Sequence, residues 1–446
     1  MPKIGAVADD LTGATTTGVL LARSKARTAV FFNEQAALKA EGMEELDAVL
    51  ISTSSRPQPK DEAYQAVVSA TEALQKMGVK YFSKRIDTTL RGGVGVEIDA
   101  MLDTMGDDAV AVVVPAMPQS RRIVVGGYSV IDSVALIRTP VAQDVRTPVK
   151  ETYVPKLLKQ QTRRQVGLVK LDAVLKGPKV IAKKLMSKRE KGCEVIVVDA
   201  ISIEDVQAIA QACVQLHWNV LAVDPGAFTA KLAYCRGLIQ AEEANVPEGT
   251  VDGQGKTVLI TAGSASPVTK RQMEVLCEDP RHVRISIDPV QLIEGGMAAE
   301  AEASRAVQEV LALLEQEPAP RAILLETALH GILLNLDKED ADRDYYGGQC
   351  ADMINAYLGQ IVKAVLDAKR DQIAGLYCTG GDTEVNVCNA LDVQCLEVMD
   401  YVIAQVDIGR LTGAYAGIPI IGKGGLTGTD TIVLDIVDRI FKEAAR

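Results

Sequence analysis

Two adjacent carboxylates, Asp9 and Asp10, follow the apolar run Ile4 to Ala8 and precede Leu11-Thr12-Gly13-Ala14. The run reads as a buried strand, so the pair arrives at a strand's carboxyl end, where open α/β sheets bind their ligands. A following helix needs one N-cap, which either aspartate or Thr12 would supply. Neighbouring side chains on extended backbone point to opposite sides, so at least one carboxylate is left for another partner. The two aspartates of a haloacid-dehalogenase nucleophile site are separated by one residue and face the same way. Adjacency excludes that chemistry here.

A second cluster, Ser83-Lys84-Arg85-Ile86-Asp87-Thr88-Thr89-Leu90-Arg91-Gly92-Gly93, sets three cations, one carboxylate and three hydroxyls in a turn after a strand-like run. Arginine offers a planar fork to a carboxylate and aspartate accepts from sugar hydroxyls, so the cluster suits a small polyhydroxy acid. Arg56, after Ser52-Thr53-Ser54-Ser55, ends another strand and joins it. The second half carries glycine-rich turns at Ala262-Gly263-Ser264, Thr379-Gly380-Gly381-Asp382-Thr383 and Gly422-Lys423-Gly424-Gly425-Leu426-Thr427-Gly428. Glycine lets main-chain N–H groups approach phosphate oxygens, and a helix N-terminus adds a favourable dipole. Three such turns, one with a lysine, point to a nucleotide phosphate site. Neither Gly249 to Thr257 nor Gly417 to Lys423 is a Walker loop. The first is mis-spaced and runs into a strand, and the second has a strand-like interior and lacks the Ser or Thr needed for Mg²⁺.

The elements that must position these groups alternate. Strands are predicted at Ile4 to Ala8, Thr28 to Phe32, Ala48 to Ser52, Tyr81 to Lys84, Ala109 to Val114, Glu194 to Asp199 and Val220 to Asp224. Helical spacing covers Asp61 to Met77, Val96 to Met105 and Glu204 to Leu216. Pro115 to Pro155 breaks the rhythm and reads as a hairpin or cover over the strand ends. Apolar periodicity vanishes at residues 242–256, the predicted linker between a first domain (1–241) and a second (257–446). In the second, strands are predicted at Thr257 to Thr261, Val283 to Ile287, Ala322 to Glu326 and Gly375 to Cys378. Helices are predicted near Val268 to Cys277, Glu300 to Leu314, Ala351 to Ala368 and Thr431 to Glu443. Such alternation implies two layered α/β domains.

At 446 residues, with 48% hydrophobic and only 4% aromatic residues, the chain has ample aliphatic core for this organisation. A net charge of -11 without an acidic tail argues against nucleic acid as a partner. Eight cysteines without a CxxC pair and three scattered histidines argue against a zinc site and read as core thiols in a reducing compartment. No membrane span or signal peptide is read, so a cytoplasmic protein is expected, with a homodimer as its assembly.

Taken together, Ala8-Asp9-Asp10-Leu11-Thr12-Gly13-Ala14, Ser55-Arg56, Lys84 to Gly92, Pro115-Ala116-Met117-Pro118-Gln119, Gly126-Gly127-Tyr128, Gly263-Ser264, Gly380 to Thr383 and Lys423-Gly424-Gly425 resemble the four-carbon acid sugar kinases in kind and order. The likeness covers nearly the whole chain. It implies an N-terminal acid-sugar-binding domain using Asp9 or Asp10, Arg56, Lys84, Arg85, Ile86, Asp87 and Arg91. It also implies a C-terminal nucleotide-binding domain using Ser264, Gly380, Gly381, Asp382, Thr383, Lys423, Gly424 and Gly425. Thr88, Gly93 and Leu426-Thr427-Gly428 depart from the family's usual Ser, Asn and Gly-Phe-Gly.

The expected activity is ATP-dependent phosphorylation of the terminal C4 hydroxyl of D-threonate or D-erythronate in carbohydrate acid catabolism, with Mg²⁺ neutralising the triphosphate and the domains closing on each other. Asp10 and Asp382 are the candidate catalytic carboxylates, with the Mg²⁺ ligands left open. A 3-oxo-tetronate kinase and a non-catalytic sugar-acid sensor are the alternatives. An NAD-dependent dehydrogenase is disfavoured, because Asp9-Asp10-Leu11-Thr12-Gly13 stands where a dinucleotide fingerprint would have to be.

Overall fold

Runs such as Val110–Val113 (VAVV) and Val195–Val198 (VIVV) are buried at every position, the pattern of strands covered on both faces. The computed structural model describes residues 1–144, 146–243, 255–263, 266–329, 333–425 and 427–445. They divide into two compact units, Met1–Ala244 and Asn245–Arg446. Most of the predicted linker, residues 244–254, lies outside the described residues.

In the first unit the strands are β1 (Ile4–Ala8), β2 (Thr28–Phe31), β3 (Ala48–Ser52), β4 (Tyr81–Arg85), β5 (Val110–Val113), β6 (Arg122–Val125), β7 (Tyr128–Ile131), β8 (Val134–Ala135), β9 (Val166–Val169), β10 (Val195–Val198) and β11 (Val220–Asp224). Eight of them form a wholly parallel array in the order β2-β3-β1-β4-β11-β5-β10-β9. The chain leaves β1 to build β2 and β3 on one side and returns to build β4 on the other. The crevice beyond β1 is therefore a topological switch point, the preferred ligand position in such sheets.

Helices cover the sheet for the expected reason. Lys60–Lys76 buries Ala63, Val67, Ala70, Thr71 and Leu74, a stripe at helical spacing, and leaves its charged residues outside. Ile203–Leu216 starts at a capping box between Ser202 and Asp205. The Pro- and Gly-rich segment forms the antiparallel sheet β6-β7-β8. Its tip is pinned where Asp199 accepts from Gly126 N and Gly127 N at 2.6 and 2.8 Å.

The second unit contains β12 (Thr257–Ala262), β13 (His282–Ser286), β14 (Ala322–Glu326), β15 (Ile373–Thr379), β16 (Cys395–Ile403), β17 (Val406–Leu411) and β18 (Pro419–Lys423). Strands β13-β14-β12-β15-β18 are parallel, and β17 and β16 extend the sheet antiparallel. The β16-β17 hairpin was not predicted, because Asp400 occupies an inward position where the alternation calls for an apolar residue. That carboxylate is fully buried against Arg439, 3.2 Å away, which also bonds Glu443. The strand β9 was missed as well, being only four residues long.

Gly375 lies in β15 where the helix Ile432–Ala444 packs on the sheet. A Cβ there would stand 2.6 Å from Ile440 Cγ2 and 2.8 Å from the Pro419 carbonyl oxygen. Gly375→Ala is expected to lower unfolding free energy by about 1–3 kcal/mol through overpacking. Urea denaturation of the variant measures this, and an unchanged midpoint would contradict the packing.

Candidate functional site

Parallel register sets the first site. Ala8 of β1 pairs with Ser52 of β3 and Arg85 of β4, so the three following loops leave the sheet at one level. Asp10 caps the helix Leu11–Ala22, its Oδ1 accepting from Gly13 N at 2.9 Å. Asp9 takes the other role expected of the pair. Its oxygens accept from Arg56 Nε and Nη2 at 2.7 and 3.1 Å, a two-pronged bond.

Arg56 Nη1 also reaches Asp10 Oδ2 at 2.7 Å, and Arg85 Nη1 lies 3.0 Å from Asp10 Oδ1 and 3.4 Å from Asp9 Oδ1. Arg85 lies flat on the first helical turn. A Cβ at Gly13 would stand 1.8 Å from its Nη1, so any larger residue there would displace the Arg85 guanidinium from Asp9 and Asp10. Asp87 accepts from Arg91 Nε and Nη2 at 2.9 and 3.1 Å and from Thr89 N, and lies 3.8 Å from Arg56 Nη2. Arg91 extends the chain of charges to Asp144 at 3.3 Å.

Burial by itself would raise the Asp9 carboxyl, yet Arg56, Lys84 and Arg85 outweigh it and hold the group below the usual carboxylate range. Asp87 is likewise held far below that range against its burial, chiefly by Arg56 and Arg91. Both are therefore anions throughout the physiological range.

The predicted cluster is thus assembled, but its members play different parts. Lys84 is turned inward. Its side chain is fully buried beneath the strand ends, with Nζ 2.8 Å from Glu97 Oε2 and donating to the carbonyls of Val7 and Arg85. Ile86 is also buried, its N–H donating to the Asp224 carbonyl. Glu97, absent from the sequence-based list, accepts from Ser55 Oγ at 2.6 Å, and burial pushes its carboxyl up despite Lys84. A signal existed: Glu97 shares a helix face with the core residues Val94, Ile98 and Met101, a position that demands a buried partner.

Arg56, Arg85 and Arg91 are engaged with Asp9, Asp10, Asp87 and Asp144. A cleft of about 490 Å³ opens beside Arg56 and is lined by Lys60, Arg146, Lys150 and Lys156 with Glu151 as its one carboxylate. Glu151 is itself paired with Lys156 at 2.6 Å. Of Asp9, Asp10 and Asp87, Asp10 is the accessible one, its side chain 29% exposed against 4% and 6%.

In the second unit, register again aligns the turns. Ala262, Thr379 and Lys423 are level at the carboxyl ends of the neighbouring strands β12, β15 and β18. The predicted glycine turns therefore lie side by side, Gly380 N donating to the Lys423 carbonyl at 2.8 Å and Thr269 Oγ1 to that of Gly425 at 3.2 Å. Gly380 has φ of 110°, a conformation that favours glycine, and the helix Gly381–Ala390 starts immediately after it.

Asp382 is exposed on that helix's first turn, while Thr383 is buried and donates to Asn355 Oδ1 at 2.8 Å. A Cβ at Gly263 would collide with both partners, and beside it an apolar recess is lined by Pro289, Leu336 and Ile354. Lys423 is buried with its Nζ on the Gly424 carbonyl at 2.9 Å, and burial pulls its pKa down to about 8. Glu384, also missed, is buried beside Asp407, and its carboxyl is pushed up to about 8, by burial first and Asp407 second. Ser264 and Leu426 lie outside the described residues.

Asp9→Asn leaves Arg56 and Arg85 short of a buried counter-charge and is expected to cost about 3–5 kcal/mol of stability. Asp10→Asn keeps a capping side chain at a more exposed place and is expected to cost about 1 kcal/mol. Equal losses on urea denaturation of the two variants would contradict this division.

Residues 4–232 match the family described as a sugar-binding N-terminal domain, and residues 259–433 that described as a nucleotide-binding C-terminal domain. The chain is 37% identical to a protein of Heliobacterium modesticaldum named D-erythronate kinase, covering 99% of this chain and 98% of that one. It is 29% identical to a D-threonate kinase of Salmonella typhimurium, covering 97% of each. The crystal structure of a Salmonella typhimurium protein shares the fold, with a TM-score of 0.79 at 20% identity over 98% of this chain and 99% of that one. A charged switch-point crevice in one unit, aligned glycine turns in the other and these full-length likenesses lead to one conclusion: the chain belongs to the four-carbon acid sugar kinase family and is a phosphotransferase acting on a four-carbon sugar acid.

Proposed function

We propose that this enzyme uses ATP with Mg²⁺ to phosphorylate the C4 hydroxyl of D-erythronate in the breakdown of sugar acids, with D-threonate as the nearest competing substrate. The observation that carries the reading is the likeness, along 99% of the chain, to a protein named D-erythronate kinase. The free cysteines support a reducing, cytoplasmic setting.

Phosphoryl transfer depends on position and charge more than on covalent help. In this reading Lys60 and Arg146 draw the acid's carboxylate into the cleft, and Asp10 accepts from the hydroxyl to be phosphorylated. Arg56 and Arg85 fix the Asp10 carboxylate from behind. Gly380, Gly381, Gly424 and Gly425 let phosphate oxygens approach the main chain, and the recess beside Gly263 accepts the adenine ring.

The donor set fits a metal-bound triphosphate. Among the described residues Lys423 is a buried cation with no carboxylate at ion-pair distance, aimed among the glycine turns. Mg²⁺ would neutralise charge on the transferred phosphoryl group. Asp382 is the carboxylate proposed to hold it, since Mg²⁺ takes one or two carboxylates with phosphates and water.

ADP release should be fastest, by kcat/KM, with D-erythronate, ahead of D-threonate and 3-oxo-tetronate, and phosphorus NMR should place the phosphate on C4. Preference for another acid would overturn the substrate assignment, and tight acid binding without turnover would favour a sensor.

The amine of Lys423 supplies a pH test. A phosphate beside it would raise its lowered pKa, so above pH 8 nucleotide binding must take up a proton. ATP affinity is expected to fall, by up to about tenfold per pH unit, as pH rises past 8. Calorimetry across pH 7 to 9.5 checks this, and Lys423→Met should abolish the slope.

A further inference from the structure

Pro115-Ala116-Met117-Pro118-Gln119 leads the chain out of β5, on the same carboxyl edge of the parallel sheet from which Asp9 and Asp87 emerge. Met117 and Arg122 exchange main-chain bonds of 2.8 and 3.3 Å across the single turn Pro118–Ser120. The hairpin is then tied down where Val124 and Ala200 exchange main-chain bonds and where Asp199 holds Gly126 and Gly127. Arg121 turns to solvent, its side chain 85% exposed. Arg122, the first residue of β6, is half-buried, and its Nε is closed off from water.

Arg122 differs from the arginines of the crevice. Arg56, Arg85 and Arg91 each have a carboxylate within 3.0 Å, and against the pull of burial those carboxylates raise Arg56 and Arg91 above the ordinary arginine value. Among the described residues no carboxylate lies at ion-pair distance from Arg122. Its side chain makes a single hydrogen bond, from Nη1 to the Ser120 carbonyl at 2.7 Å, and the buried Nε has no partner. Burial pulls the guanidinium down, offset first by Asp87 and then by Asp132, both beyond ion-pair distance. Arg236 is also pulled down by burial, but it lies over the Tyr81 ring at 4.3 Å. A guanidinium withdrawn from water without a counter-charge costs stability, and it leaves a planar fork of donors open to an anion.

We propose that Arg122 is a specificity-determining residue: its open guanidinium edge receives the carboxylate of the bound sugar acid, which supplies the counter-charge this arginine lacks. The inference rests on the proposed function and refines it. Lys60 and Arg146 attract the acid from solvent, Asp10 accepts from its terminal hydroxyl, and Arg122 binds the group that separates a sugar acid from a neutral sugar. Strands β1 and β5 stand three places apart in the sheet, about 14 Å at the usual strand spacing, a span that an extended four-carbon acid and one arginine side chain cover together.

The test compares the parent with Arg122→Gln and Arg122→Lys, using D-erythronate and its neutral amide, D-erythronamide. Without ligand both variants should melt at or above the parent, the first because it sheds an uncompensated buried charge and the second because it keeps the bond to the Ser120 carbonyl. KM for D-erythronate should rise about ten- to a hundredfold in Arg122→Gln and less in Arg122→Lys, the range expected for a lost charge-assisted hydrogen bond, with KM for ATP unchanged. Binding of the amide, measured by competition against the acid, should stay as in the parent, so that Arg122→Gln loses the preference for acid over amide. Equal losses for acid and amide, or a ligand-free Tm several degrees lower in both variants, would show that Arg122 serves only to hold the hairpin and would overturn the proposal. A parent that turns over no four-carbon acid removes the proposed function and this inference together. A parent active on D-erythronate, with the same acid KM in Arg122→Gln, removes the inference alone.

Discussion

The first unit depends on a guanidinium placed between carboxylates that cannot otherwise be buried as anions. Desolvating Asp9 and Asp87 is costly, and Arg56, facing Asp9, Asp10 and Asp87 at once, repays most of that cost through charge and directed hydrogen bonds. Everything nearby is arranged to keep it there. The level register of β1, β3 and β4 brings the three loops to one height, Gly13 makes room for Arg85, and Lys84 with Glu97 fills the layer beneath. The same saturation explains the position of the cleft. With the inner arginines occupied, unused positive charge is found one step outward, on Lys60, Arg146 and Lys150, where an anion can arrive from solvent.

The second unit solves the complementary problem with main chain. Its aligned strand ends carry few side-chain charges, and its glycine turns leave N–H groups and one buried amine near the surface. A carboxylate-rich crevice would repel a triphosphate, whereas this surface would attract it. An ion-paired pocket in one unit and glycine turns in the other match the chemistry proposed for the two ligands: hydroxyls that bond carboxylates, and phosphates that bond main-chain N–H groups.

Much of this was legible because burial leaves a simple trace. Runs such as Ile4 to Ala8 and Ala48 to Ser52 are apolar throughout and end in polar residues, so strand, strand end and site residue could be read together. The partners of those residues were not legible, since pairing depends on which strands become neighbours. Arg56 reads as a fork for a carboxylate, and only the register shows that Asp9 is on it. Lys84 has no local mark distinguishing it from an exposed lysine, because its burial comes from Glu97, thirteen positions later on another element. The β16-β17 hairpin was hidden for the same reason: Asp400 looks like a surface residue until Arg439 is folded over it.

The way Arg56 serves several carboxylates also constrains how relatives of this chain can diverge. An isolated ion pair can be lost in two steps, with one stranded charge between. Here replacement of the arginine strands more than one aspartate, and replacement of Asp9 leaves both Arg56 and Arg85 short of a buried counter-charge. Descent through single changes therefore crosses poorly folded intermediates in most orders, and the order of changes matters as much as their identity. The outer cleft has no such interlock. Its lining can change one residue at a time while the inner lattice is inherited intact.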